Sequence, residues 1–412
     1  MLKDEISGFS SSSKAGVCIR LQNDGKMGYA SGELFTEFEI SELVLRAIEN
    51  AKNTEKEDTV GIFEGSKEYI TLKNGNDFSI LETDEIKRLS REMQTLVYQT
   101  SDKVIDGTQS GVSCGTREIR ISNSHGLNLE RTIAANVIYT QAVVSDGGEN
   151  ESDFTVKSYD KSLSLKEIAK ETINSALSKI GAGTLKSGKY PTVISGRQMR
   201  SLLAVYSAVF NARNVQMGMS LLRGKLGETV ASDCVTITDD PDRNASSIHF
   251  DAEGVATYRK CVVENGVLKT FLHNRESAKA DGVLSTGNAS KGGYSSPIGI
   301  SPFVFAIEPG SLSLDELFKK ANNGVYITEI KGLHAGADAV TGDFSLECAG
   351  YLIKDGKKSN AVKSFTIAGN FFELLKSVDS LSNDLQLGVS GGGFTTFGAP
   401  DVLIMDASLA GA

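Results

Sequence analysis

The chain has 412 residues, 40% of them hydrophobic, enough for two or three domains with sizeable cores. Its 43 Lys and Arg against 52 Asp and Glu leave a formal charge of -9, with no Lys/Arg-rich run. That balance argues against direct nucleic-acid binding, which needs clustered cations to displace counterions.

The N-terminal stretch MLKDEISGFSSSSK has no apolar signal core, and no run approaches the ~18 apolar residues of a membrane helix. A cytoplasmic protein without membrane contact is expected. Residues 15–30 read as two strands around a turn at Asn23, Asp24 and Gly25, where glycine supplies positive φ. A helix follows from about Ser41, with Ile40, Leu43, Val44, Ala47, Ile48 and Ala51 on one face. Another runs from about Thr83, with Ile86, Leu89, Met93 and Leu96 inward. Strands are predicted at 118–121, 134–145 and 153–158, separated by a turn at 124–126 and an acidic loop at 146–152. Ser164 and Glu167 form a capping-box pair ahead of a helix carrying Leu165, Ile168, Ala169, Ile173, Ala176, Leu177 and Ile180.

GAGTLKSGKY (181–190) has the polar, glycine-rich character of a linker. It divides the chain into an N-terminal and central α+β region, 1–185, and a β-rich C-terminal domain, 186–412. The second region opens with RQMRSLLAVYSAVFNARN (197–214), read as one helix with Met199, Leu202, Leu203, Tyr206 and Phe210 at helical spacing. Strands are predicted over 230–238, 256–264, 267–273, 304–308, 325–331, 344–353, 361–368 and 402–405, with tight turns at 264–266 and 354–356. The fold class is α+β: a sheet with helices, then a mostly β domain.

Candidate chemistry is sparse. GVSCG (111–115) and GVSGG (388–392) match the G-x-S-x-G nucleophile pattern, which needs a strand, a sharp turn and a helix. Ser113 precedes a strand and Ser390 a glycine run, so the serine-hydrolase reading is rejected. No histidine has a partner four or five residues away, so no helical zinc pair exists. His125 suits a turn hydrogen-bonded to local backbone, His249 a satisfied structural histidine, and His273 with Glu276 a solvent-facing helical pair. His334 lies in GLHAGADAVTGDFS (332–345) beside Asp338 and Asp343. A sharp structural loop is favoured there, with a ligand contact as the alternative. No phosphate loop occurs. Asp239, Asp240, Pro241 and Asp242 read as a conformational turn. The five cysteines, Cys18, Cys114, Cys234, Cys261 and Cys348, form no C-x-x-C pair and read as reduced thiols.

Several ordered segments carry a family resemblance. They are GKLGETVAS (224–232) followed by Asp239, Asp240 and Pro241, then FDAEGVATYRKCVVENGVLKTFLHN (250–274), STGN (285–288) and GLHAGADAVTGDFS (332–345). AGYLI (349–353), TIAGN (366–370), NDL (383–385) and GAP (398–400) extend the match. With these segments the chain resembles the TldD/PmbA family, also called the modulator of DNA gyrase family, and within it the PmbA/TldE branch.

The resemblance implies peptide processing. TldD-type members carry H-E-x-x-x-H on the helix before G-x-x-G-E-x-V-A-S, with a cysteine in the glycine-rich C-terminal region as third zinc ligand. PmbA/TldE-type members lack those ligands and pair with TldD-type subunits in maturing small peptides such as microcins and degrading antitoxins. Carried over without gaps, the ligand and base positions fall near Leu203, Ala204 and Ala208, and no histidine lies between His125 and His249. The run 388–399 contains no cysteine. The resemblance therefore assigns no catalytic or metal-binding residue and no cofactor to this chain. Zinc would sit only on a TldD-type partner, and His334, Asp338 and Asp343 would be at most contacts in a peptide cleft.

Relatives usually begin with a further helix and strand before the segment matching 5–20. An uncovered sheet edge is expected there, with dimerisation as one solution. The expected partners are a TldD-type metallopeptidase subunit or a second copy of the chain, and a peptide substrate. Two alternatives stay open: a self-sufficient metallopeptidase built around His334, Asp338 and Asp343, and a modulator acting on DNA gyrase.

Overall fold

The structure, a computed structural model, describes residues 1–412 except positions 4, 34–35, 56, 71–79, 244–247, 390–394 and 412. Mixed helices and strands make it the α+β protein expected from the sequence.

The first unit is a hairpin of β1 (Val17–Asn23) and β2 (Lys26–Gly32) under helix α1 (Glu37–Asn53). Asp24 and Gly25 both have positive φ, 48° and 75°, as the predicted tight turn requires. A Cβ on Gly28 would lie 1.9 Å from the Ala47 carbonyl, so glycine lets α1 rest directly on the strand. The helix starts earlier than predicted because Thr36 and Glu39 form a reciprocal capping box.

The second unit starts with α2 (Thr83–Thr100) and continues into a meander of β3 (Gln109–Ser122), β4 (Asn128–Asp146) and β5 (Glu149–Ser158). Helix α3 (Leu165–Leu177) follows, with Ser164 accepting from the Glu167 amide. Leu89, Met93 and Val97 of α2 meet Ile138, Ala142 and Val144 of β4 and Ile168 and Ile173 of α3 in one core. The expected acidic loop at 146–152 does not form. Gly147 and Gly148, at φ 59° and 89°, make a two-residue turn, so Asp146 already pairs with Glu149.

The C-terminal part opens with β6 (Gly188–Ile194), a strand that begins inside the expected linker. Then come α4 (Gly196–Tyr206), a 3-10 turn (Ser207–Phe210) and α5 (Ala212–Gln216). The predicted single helix over 197–214 is therefore broken. Asn211 takes an extended backbone and its side chain accepts from the Arg213 amide, while Ala212 and Phe210 bond to Leu272. Such a local side-chain bond competes with the helical ladder.

Short elements follow: β7 (Ile237–Asp239), β8 (Lys260–Glu264), β9 (Val267–Leu268), α6 (Arg275–Ala280), β10 (Ala289–Ser290), β11 (Gly299–Ile300), β12 (Val304–Ile307) and α7 (Leu314–Ala321). The long strands predicted over 230–238, 256–264 and 267–273 shrink to β7, β8 and β9. The amides of Val230 and Ala231 go instead to the Gly266 carbonyl, and that of Thr257 goes to His249. The chain ends with β13 (Gly324–Lys331), α8 (Leu333–Gly336), β14 (Asp343–Lys354), β15 (Lys357–Asn370), α9 (Phe371–Lys376), β16 (Val378–Leu381), β17 (Gln386–Val389), β18 (Thr396–Ala399) and β19 (Val402–Ala410).

These strands form two large sheets, ordered β17-β18-β12-β7-β8-β9 and β15-β14-β13-β6-β19-β16. Pairing of β15 with β19 closes β6, β13, β14, β15 and β19 into a ring. Helix α4 touches both sheets, meeting β12, β17 and β18 of one and β13 of the other. Its Met199, Leu202, Leu203 and Tyr206 are buried with Phe305, Val325, Ile327, Phe371 and Phe397. No helix among the described residues is long and apolar enough to cross a membrane.

Candidate functional site

Helix α4 is the natural place to look for chemistry, and its start is tightly held. The Gly196 amide donates to Asp401 Oδ1 at 3.0 Å and the Arg197 amide to Gln386 Oε1 at 3.0 Å. Gln198 bridges to β13, donating to the Thr328 carbonyl at 2.8 Å and accepting from the Ile330 amide at 3.2 Å. Asp401 is buried with Tyr326 and Ser382, and desolvation raises its carboxyl above the usual range.

Further along the helix, Leu203 is fully buried in the apolar core. Ala204 is half-buried and Ala208 is exposed in the 3-10 turn. Tyr206, one turn from Leu203, stacks on Phe371 with ring centroids 4.5 Å apart. Its hydroxyl donates to the Asp343 carbonyl at 2.9 Å, and burial pushes its pKa up to about 12, so it stays a neutral donor. The helix is thus tied to the segment that carries the sequence-predicted candidates.

Within that segment Asp338 and Asp343 come together through the main chain. The Asp338 amide donates to the Asp343 carbonyl at 2.9 Å, and the Gly342 amide donates back to the Asp338 carbonyl at 2.9 Å. Asp338 Oδ1 accepts from the amides of Val340 and Thr341 at 2.7 and 3.1 Å, an Asx-type staple. Asp343 Oδ1 accepts from Asn370 Nδ2 at 2.9 Å. Gly342 is at φ +79°, which the turn needs. His334 is exposed on the single-turn α8, and no hydrogen bond joins it to either carboxylate among the described residues.

The other sequence candidates take structural places. Ser113 lies within β3, paired with Val137, and not ahead of a strand. Ser390 lies outside the described residues. The turn at His125 is closed by Asn123 Oδ1, which accepts from the His125 amide at 2.9 Å. His273 is buried, contrary to the solvent-facing pair expected: its Nδ1 lies 3.3 Å from Ser277 Oγ while Glu276 pairs with Arg213. His249 is edge-on to Phe250; its ring is hydrogen-bonded to the Glu130 main chain while its Nδ1 has no partner among the described residues, so the satisfied histidine expected is only half met. Burial and the neighbouring Arg131 charge hold it below the usual histidine range.

Two further carboxylates, Asp239 and Asp251, are fully buried. Asp239 does not sit in a turn: it ends β7 fully buried. It accepts from Lys260 Nζ at 3.2 Å, Asn288 Nδ2 at 2.7 Å, and the Phe303 and Val304 amides at 2.8 and 3.0 Å. Asp251, also fully buried, accepts from the amides of Glu253, Val255 and Ala289 at 2.8, 3.0 and 2.9 Å. Burial, with Glu253 adding repulsion, pushes its carboxyl up to about 7. The D-A-E-G order of 251–254, with Gly254 at φ +83°, was a usable signal for a side chain folding back onto its own turn.

The zinc that the resemblance implies for TldD-type members finds no donor at the three aligned positions, Leu203, Ala204 and Ala208. An alkyl side chain in a packed core and two methyl groups stand at the corresponding positions, and the run 388–399 has no thiol. Among the described residues no group of three or more His, Cys, Asp and Glu is arranged to hold a metal. These residues do not fit the ion.

Comparison with known proteins places the chain. Residues 187–411 match the family model described as the PmbA/TldA metallopeptidase C-terminal domain, residues 1–51 its domain 1 and residues 76–180 its central domain. An uncharacterized protein from Methanocaldococcus jannaschii is 31% identical over 389 residues, spanning 93% of this chain and 88% of the relative. Metalloprotease PmbA of Escherichia coli O157:H7 is 24% identical over 389 residues, spanning 92% and 82%. Among solved structures, a putative modulator of a DNA gyrase from Thermotoga maritima superposes with a TM-score of 0.89 at 31% identity, over 100% of this chain and 92% of that one. TldE from Thermococcus kodakarensis does so with a TM-score of 0.89 at 25% identity, over 100% and 93%. The chain belongs to the PmbA/TldD metallopeptidase family.

Proposed function

We propose that this chain is a non-catalytic, PmbA/TldE-type subunit of a cytoplasmic TldD-type zinc metallopeptidase assembly that matures and degrades peptides. The observation that carries the reading is the state of α4. The helix is retained and packed between two sheets, while Leu203, Ala204 and Ala208 stand where catalytic relatives would place ligands and base. Imidazole at position 203 would have to displace core packing before it could reach a metal. The likeness to TldE from Thermococcus kodakarensis supports the same branch. In this role the chain completes an interface and shapes a peptide-binding surface, and its partner supplies the metal and its hydroxide chemistry.

Two measurements test it. Elemental analysis of the purified chain should find no stoichiometric zinc, and peptidase assays of the chain alone should find no turnover. Co-expression with a family member from the same genome that carries H-E-x-x-x-H should give co-purification and chelator-sensitive activity. Equimolar zinc on the isolated chain, with activity lost on chelation, would overturn the proposal.

A further inference from the structure

Two cations on the first turns of α4 have no acidic partner among the described residues. Arg197 and Arg200 are three residues apart, which puts their Cβ atoms about 5–6 Å from each other on one helix face. Neither forms an ion pair among the described residues, in a chain whose formal charge is -9. Each guanidinium is instead held by a single main-chain carbonyl. Arg197 Nη1 donates to Phe154 at 3.2 Å, and Arg200 Nη1 donates to Leu387 at 2.7 Å.

The anchors lie on β5 and β17, the outer strands of two different sheets. Gly388 permits the arrangement, since a Cβ there would lie 2.2 Å from Arg200 Cζ. Arg200 is half-buried, and desolvation together with the Arg197 charge lowers its pKa from the usual guanidinium range. Two like charges thus sit together, one of them partly removed from water, at an energetic cost that no carboxylate among the described residues offsets. A guanidinium has five N–H donors and each of these directs one hydrogen bond at a carbonyl, so among the described residues most donors on both forks have no other acceptor.

We infer that Arg197 and Arg200 form a carboxylate-binding site for acidic peptides. A carboxylate accepts two parallel N–H bonds from one fork, and a second cation beside it strengthens the attraction. The surroundings favour a peptide over a bare inorganic anion. Phe154 and Leu387, which hold the arginines, are 37% and 39% exposed, and neighbouring Val156 is 49% exposed, so apolar surface flanks the charges. The choice of a peptide as ligand rests on the reading of the chain as a peptide-handling subunit. The site itself rests on the two unpaired cations.

Isothermal titration calorimetry on the full chain alone, with no zinc and no partner, tests the site. The probes are a glutamate-rich hexapeptide with a free C-terminus, the same peptide amidated, its glutamine counterpart amidated, and inorganic phosphate. The glutamate-rich peptide with a free C-terminus should bind at least tenfold more tightly than the amidated glutamine peptide, and more weakly as salt rises. Retention of affinity on amidation assigns the side-chain carboxylates, and its loss assigns the C-terminus; either supports the site. Arg197→Gln with Arg200→Gln should weaken binding at least tenfold. Arg197→Gln alone, a change at an exposed side chain, should weaken it severalfold with the thermal midpoint unchanged. Equal affinity for the glutamate-rich peptide with a free C-terminus and the amidated glutamine peptide, phosphate binding as tight as that acidic peptide, no binding of any probe, or unaltered affinity in the variants would each overturn the inference. Because neither zinc content nor co-purification enters this measurement, its failure leaves the subunit reading to be judged on its own tests.

Discussion

The Tyr206 hydroxyl donates to the main-chain carbonyl of Asp343 at 2.9 Å, joining α4 to the glycine-rich turn after α8. The Asp343 carbonyl also accepts from the Asp338 amide at 2.9 Å, so the turn keeps one bond if the tyrosine is lost. Tyr206→Phe should therefore cost about 1 kcal/mol in urea-melt stability and keep the ring stacked on Phe371. Tyr206→Ala should cost about 3–5 kcal/mol, because it also empties a fully buried site. Similar losses for the two would show that the hydroxyl, and not the packing, holds the turn.

Leu203 offers a test of how far α4 has moved from metal chemistry. Leu203→His places a polar ring in the apolar core that Leu203 shares with Val325 and Phe305. It should destabilise the chain by about 3 kcal/mol and bind no equimolar zinc. An unchanged unfolding midpoint with zinc bound would mean that the pocket for a metal still exists.

Lys260 and Asp239 form an ion pair out of contact with water, at 3.2 Å, with both side chains almost wholly buried. Lys260→Met should cost about 3–5 kcal/mol, since it strands a carboxylate on β7 with only neutral donors. Combining it with Asp239→Asn should recover part of that loss. Chemical denaturation of the two variants against the parent checks the sign. Equal stability of all three would contradict the account.

Asp251 gives a pH signature. Its carboxyl is pushed up to about 7 in the folded chain, against about 4 unfolded, so the folded state holds its proton over that interval. The group's stabilising contribution is complete below the unfolded value and declines as pH rises from about 4 through about 7. Thermal midpoints measured across that window should fall with pH, and Asp251→Asn should flatten that part of the slope. A parent and variant with parallel pH profiles would remove Asp251 as the cause.

Much of the local structure was legible. Leu89 and Met93 repeat at helical spacing, and Gly25, Gly266 and Gly356 mark turns that need positive φ. The errors share one cause. Gly147 and Gly148 read as loop filler but make a hairpin turn, since only pairing with Asp146 and Glu149 reveals the register. Residues 188–190 read as linker but start β6, because the partners that recruit them, on β19, lie more than 200 residues away. Asn211 ends the helical run because Leu272 competes for the neighbouring main chain.

The order of residues already carries the family and the lack of a donor at Leu203, Ala204 and Ala208, because an alkyl side chain has no lone pair and cannot ligate wherever the chain folds. It also determined the class of fold, since periodicity and glycine placement act within a few residues. It takes the folded chain to show that Asp239 and Asp251 are buried, that Asp338 and Asp343 staple one turn, and that Arg197 and Arg200 stand together with no acid beside them among the described residues. Burial and charge pairing depend on groups brought together from distant parts of the chain, as when Phe154 and Leu387 each hold an arginine of α4. That convergence has no local signal in the order of residues.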